Sequence, residues 1–144
     1  MNQEKQTAVN AVEEKKEVIC RAADQIWEYA EGICNIPTAF AASFGTGSPR
    51  IGILAEYDAL SGLSQEAGCT EPREHIPGGC GHGCGHNLLG AGAMAAAIGI
   101  KAYLEKSKKP GTVILYGCPG EEGGAAKAFM ARDGLWKSLD AALT

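Results

Sequence analysis

Residues 112–124 read TVILYGCPGEEGG, and the fold is decided by this stretch. Residues 112–117 are nearly all apolar, the pattern of a short strand buried on both faces. The loop CPGEEGG follows, and a helix is expected from about residue 124 to 132. Upstream, residues 87–107 predict another helix, with Asn87 as its candidate cap. Gly90, Ala91, Gly92, Ala93, Ala95, Ala96, Ala97 and Gly99 leave it so little bulk that it is expected to pack very close to a sheet. Lys101, Lys106, Lys108 and Lys109 lie toward its C-terminus, where the helix dipole favours positive charge, and Pro110 and Gly111 end it. Earlier still, residues 38–44 and 50–57 are β-rich and flank the turn cluster GTGSP, which predicts a hairpin. Strand, helix, strand, helix implies an α/β fold with a largely parallel sheet.

Farther out, residues 3–31 carry Ala8, Val12, Ile19, Ala23, Ile26, Trp27 and Ala30 at helical spacing between Glu and Lys residues, an amphipathic helix with a solvated charged face. Residues 58–85 show no sustained period, and so long a loop in a small domain points to function. The whole chain has 144 residues, 45% hydrophobic and 21% charged, the balance of one small globular domain. Its net charge of -4 lacks the basic excess that nucleic acid or anionic lipid attracts, so neither is an expected partner. The start has no apolar signal region, and the uncharged run 87–100 is shorter than the roughly 17–25 residues needed to span a bilayer. A cytoplasmic protein is expected, and its six cysteines then read as thiols or metal ligands rather than disulfides.

The segment GGCGHGCGHN sets Cys80, His82, Cys84 and His86 at alternate positions among glycines, so that on extended backbone their side chains project together. Thiolate and imidazole are preferred ligands of zinc and other borderline divalent ions. The bland alternative is a glycine-rich turn with small thiols and solvated histidines. A structural zinc module competes poorly, because four such crowded residues do not easily reach one tetrahedral ion. Glu121 and Glu122 follow the buried strand, where ligand-binding groups of α/β sheets gather. Beside a soft-ligand loop, one of them can hold a metal while the other takes a proton from water. Asp58, at the end of RIGILAEY, can hydrogen-bond the free nitrogen of a ligating histidine, or simply cap a turn. Glu56 is the weaker neighbour, set to point away from the partners of Asp58 unless the strand bends. His75 reads as solvated loop, and Cys20, Cys34, Cys69 and Cys118 as small packed thiols. Cys118 merits notice for lying three residues before Glu121.

AEYDALSGLSQEAG, GHGCGHNLLGAG and GTVILYGCPGEEGG together resemble successive blocks of the dinuclear metallo-amidohydrolases of the aminoacylase and carboxypeptidase type, metallopeptidase family twenty. The nearest branch comprises amidohydrolases similar to p-aminobenzoyl-glutamate hydrolase. The resemblance runs from about residue 38 to the end, and the first helix agrees with it. It implies a partial three-layer sandwich: a mostly parallel or mixed sheet flanked by helices. It further implies that Cys84, His86 and Glu122 are metal ligands, that Glu121 is the general base and that Asp58 orients a site residue. His82 matches a position that is not a ligand, and Cys80 has no counterpart. The cofactors implied are divalent ions, Mn or Zn, two per site. The reaction implied is hydrolysis of the amide bond of N-acyl amino acids, aminobenzoyl-glutamate or short peptides.

Relatives of this kind have more chain between the first helix and IPTAFAASFG, where only GICN intervenes here. They also continue beyond Thr144 with further ligating histidines and a dimerisation domain. Residues 1–144 are therefore expected to be an amino-terminal part of the catalytic domain, with homodimers belonging to the full-length family. Activity from these residues alone is expected to be weak or absent, and the alternative is an inactive metal-binding fragment.

Overall fold

The computed structural model describes residues 28–144. In chain order the main elements are β1 (Glu28–Glu31), β2 (Phe40–Thr46), β3 (Arg50–Glu56), α1 (His86–Ser107), β4 (Gly111–Cys118), α2 (Ala126–Arg132) and β5 (Ala141–Leu143). GTVILYGC is buried along its whole length, as a run without a polar face requires. It takes the middle of a five-stranded sheet ordered β1-β2-β4-β3-β5. β3 runs parallel to β4, from Arg50 opposite Thr112 to Glu56 opposite Cys118, and β5 runs parallel to β3. β2 is antiparallel to β4, and β1 antiparallel to β2, so the sheet is mixed rather than largely parallel.

The hairpin expected from residues 38–57 does not form. β2 and β3 are consecutive, but β4 inserts between them, because only the central place covers both edges and both faces of an all-apolar strand. Residues 47–49 instead carry the chain past the end of β4, where the Thr112 hydroxyl donates to the Gly47 carbonyl at 2.8 Å and the Thr112 amide to that of Pro49 at 2.9 Å. Gly45 is required there: its φ is +86°, and a Cβ would sit 2.3 Å from the Gly111 carbonyl oxygen. The helix expected over residues 3–31 is also corrected at its end, where residues 28–31 form β1; the rest of it lies outside the described residues. Left-handed Gly32, Cys34 and Asn35 turn the chain back so that β1 pairs with β2.

Alternation along the central strands divides the core in two. Ile53, Ala55, Val113 and Leu115 face α1, where they meet Ala93, Ala97, Ile100 and Leu104. Leu54, Ile114, Tyr116 and Cys118 face the other side and pack with Met130 of α2, Trp136 and Leu139. Helical layers thus lie on both faces, the partial three-layer sandwich expected. By length and apolarity alone α1 is long enough to cross a membrane, since it continues beyond residue 100. It packs on β3 and β4 instead, and buries Lys101 against Glu105 (2.8 Å) and the ring of Phe44.

The small residues of α1 serve close approach on one side only. Gly90 is the point of tightest contact, where a Cβ would lie 2.7 Å from the Glu56 carbonyl oxygen, whereas Gly92 and Gly99 face open space. Gly90→Ala is expected to cost about 1–3 kcal/mol by forcing helix and strand apart. Gly92→Ala is expected to gain up to about 1 kcal/mol from helix propensity. Urea denaturation of the two variants checks this; equal effects would show that α1 does not meet β3 through Gly90.

Candidate metal centre

Parallel pairing of β3 and β4 brings the segments that follow both strands to one end of the sheet, and α1 begins at that same end. Asp58 follows β3, Glu121 and Glu122 follow β4, and His86 is the first residue of α1. Ligand sites of open α/β sheets form at this carboxyl end. Gly85, with φ +85°, turns the chain into α1 and is its cap, so the capping role expected of Asn87 is not realised. Gly120, with φ +63°, accepts from the amides of Gly124 and Ala125 at 2.7 Å each and so holds the two glutamates in a tight turn.

His86 is the hub. Its side chain is only 4% exposed, and both ring nitrogens face carboxylates. Nδ1 lies 3.0 Å from Asp58 Oδ1, while Asp58 Oδ2 accepts the Glu122 amide at 3.2 Å. Burial raises the Asp58 carboxyl, but the amides of Glu122 and Glu121 and the neighbouring His86 outweigh it and hold the group below its ordinary value. A carboxylate on Nδ1 fixes the ring and leaves Nε2 for a cation. On that side Glu56 Oε2 lies 3.2 Å and Glu121 Oε2 3.9 Å away.

Two donor groups share His86. Cys84, His86 and Glu122 form one, Glu56, His86 and Glu121 the other, and within each the ligand atoms lie within 4.8 Å of one another. Donors around one tetrahedral ion stand about 3.4–3.8 Å apart, given bonds of about 2.0–2.3 Å. Cys84 and Glu122 are exposed, so the small closure needed is open to them. A thiol, an imidazole and carboxylates make a fitting set for a borderline divalent ion. Hydrogen bonding to Glu122, burial and the charges of Glu122, Glu121 and Glu56 push the Cys84 thiol up from its ordinary pKa.

The residues singled out in the sequence divide accordingly. Cys84, His86, Glu121, Glu122 and Asp58 come together. The expected alternation of Cys80, His82, Cys84 and His86 on one side fails, because the chain turns at residues 82–85 and then enters a helix. Cys80 and His82 are exposed and belong to neither donor group. The loop 58–85 is tied by a bridge between Leu60 and Gly81, and it serves the site through its two ends. Cys118 is buried, and desolvation pushes its thiol up to about 11, so it is a packed thiol as expected. Glu56, the weaker neighbour by sequence, does face the site. The signal for it is its spacing: residues 56 and 58 are two apart, which on extended backbone means one side. Lys127 of α2, which pairs with Glu56, carries no signal in the sequence.

Residues 52–143 match the model of peptidase family M20/M25/M40. The chain is 48% identical over 160 residues to one of the subunits of p-aminobenzoyl-glutamate hydrolase of Escherichia coli (strain K12), covering 94% of this chain and 33% of that protein. It is 34% identical over 115 residues to an Xaa-Arg dipeptidase of Mus musculus, covering 74% and 23%. The chain thus spans a third or less of the length of these curated relatives. Among solved structures, a Bacillus subtilis dinuclear metal binding peptidase from the M20 family superposes with a TM-score of 0.66 at 23% identity, over 91% of this chain and 35% of that one. At that identity the likeness speaks for the fold.

If Asp58 joins His86 to the Glu122 turn, Asp58→Ala is expected to cost about 1–3 kcal/mol, the range for stranding a buried polar group. A double-mutant cycle with His86→Ala should show coupling above about 0.5 kcal/mol, and additive effects would break the link. Because the folded pKa of Asp58 is depressed, its contribution is full above the ordinary aspartate value of about 3.9 and is lost as pH falls through the lower folded value. The gap between wild type and variant should therefore close on acidification.

Proposed function

This chain belongs to peptidase family M20/M25/M40, and from that premise we propose that it carries the amino-terminal half of a metal-dependent amidohydrolase site. The observation that carries the reading is that ligand atoms of Cys84, His86 and Glu122 lie within 4.8 Å of one another, with Asp58 against Nδ1 of the same ring. Cys84, His86 and Glu122 would hold a divalent ion, zinc or manganese. Thiolate and imidazole favour zinc, and the carboxylates suit manganese as well. When bound, two such ions supply Lewis acidity for an amide carbonyl and acidify water.

The chain's own residues do the rest. Glu121 is exposed at the mouth of the site and is free to take the proton of an attacking water and return one to the leaving amine. Its neighbour Glu122 is tied back to Asp58 through its amide, which separates the two roles. Asp58 keeps Nδ1 of His86 engaged and so directs Nε2 to the ion. The substrate class we infer is N-acyl amino acids, aminobenzoyl-glutamate or short peptides, after the names of the two curated relatives. A cytoplasmic setting is part of the same proposal, since in a reducing compartment the six cysteines read as thiols or metal ligands. Homodimerisation is proposed for the longer family members.

Metal binding without turnover is the second reading. It is favoured by the donor count among the described residues: five side chains, Cys84, His86, Glu122, Glu56 and Glu121, against roughly ten ligand positions for two ions. Elemental analysis and calorimetry on the purified chain, with an assay of aminobenzoyl-glutamate cleavage, separate the readings. Cys84→Ala and Glu122→Ala are expected to weaken metal binding at least tenfold. Glu121→Gln is expected to keep the metal and, where wild type hydrolyses substrate, to slow it about 10²–10⁴-fold. Metal binding should also weaken as pH falls, because the raised Cys84 thiol must release its proton to ligate. Well-folded wild type with no stoichiometric metal would overturn both readings.

A further inference from the structure

Lys127 stands outside the roles above, yet it forms an ion pair with Glu56 on the wall of the site. The Glu56 side chain is 9% exposed, and its two oxygens are divided: Oε1 accepts from Lys127 Nζ, while Oε2 faces His86 Nε2 at 3.2 Å. Lys127 reaches it from α2, the helix that follows the Glu121–Glu122 turn. We propose that Lys127 is a positioning residue of the metal centre, acting through Glu56, and this rests on the reading of Cys84, His86 and Glu122 as ligands.

The argument is one of partners. Oε2 of Glu56 faces Nε2 of His86, the nitrogen left for a cation by Asp58, so of the two carboxylate oxygens only Oε1 is held from outside the site. A buried carboxylate held at neither oxygen turns outward to solvent. Among the described residues Lys127 is the lysine or arginine paired with Glu56, and that pairing uses Oε1 and does not involve Nε2 of His86. Holding Oε1, it keeps Oε2 aimed into the space shared by His86 and Glu121, which is the second donor group. Lysine is suited to this role because its ammonium reaches the buried acid while its side chain stays about one third exposed.

The test uses the full chain and Co²⁺ as probe, with affinity read by calorimetry and coordination by the cobalt–thiolate absorption of Cys84. K127M is expected to weaken Co²⁺ binding about tenfold, within the range known for groups that orient metal ligands. K127R should bind within about threefold of wild type, because it restores the charge. In an E56Q background K127M should change affinity less than twofold, since the acid through which Lys127 acts is gone. The thermal midpoint of the metal-free chain separates this from a folding defect, and should K127M not fold, E56Q and K127R decide. E56Q binding as tightly as wild type, K127M unchanged in affinity, or effects of K127M and E56Q that simply add would each overturn the proposal. Wild type giving neither heat nor thiolate absorption with Co²⁺ overturns the metal-centre reading itself, and this one with it.

Discussion

Asp58 lies on a segment remote in sequence from the two it joins. Its Oδ1 faces Nδ1 of His86 at the start of α1, and its Oδ2 accepts the Glu122 amide in the turn after β4. Among the described residues that carboxylate is what joins the start of α1 to the turn after β4. With it, the imidazole is fixed and the acidic turn is anchored by its backbone, while the carboxylates of Glu121 and Glu122 face His86 and Cys84. Each bond uses a different oxygen, so neither competes with the other.

The sheet makes this junction possible. An all-apolar β4 has to be covered on both sides, and so takes the centre with β3 parallel beside it. In that register Glu56 lies opposite Cys118, which puts the exits of both strands side by side. α1 must cross from the end of β3 to the start of β4 and therefore begins at the site. Its close approach at Gly90, against the Glu56 carbonyl, sets how near His86 comes to the acids. Every buried side-chain nitrogen and oxygen among the described residues has a partner, which matters most for a site that buries His86 and Glu56 together.

Much of this is legible in the sequence. The apolar run 112–117, the small-residue helix and the glutamate pair are local patterns, and they fall within a residue or two of β4, α1 and the turn. Cys84, His86, Glu121, Glu122 and Asp58 are recognisable because three ordered motifs carry them. What fails depends on long-range pairing. GTGSP does join two strands, yet no local signal says that a third inserts between them. Residues 28–31 continue a helical period, but Gly32 and two left-handed residues turn them into a strand paired with β2. Regular alternation puts Cys80 and His82 with Cys84 and His86 because a turn at residues 82–85 is invisible in a glycine-rich segment. The pairing of Lys127 with Glu56 spans 71 residues and emerges only once α2 is placed.

X-ray absorption at the zinc edge of the zinc-loaded chain tests the arrangement most directly. A sulfur shell at about 2.3 Å with nitrogen and oxygen neighbours at about 2.0–2.2 Å is predicted, with the sulfur lost in Cys84→Ser. A spectrum of light-atom neighbours alone, unchanged by that substitution, would contradict it and remove Cys84 from the centre.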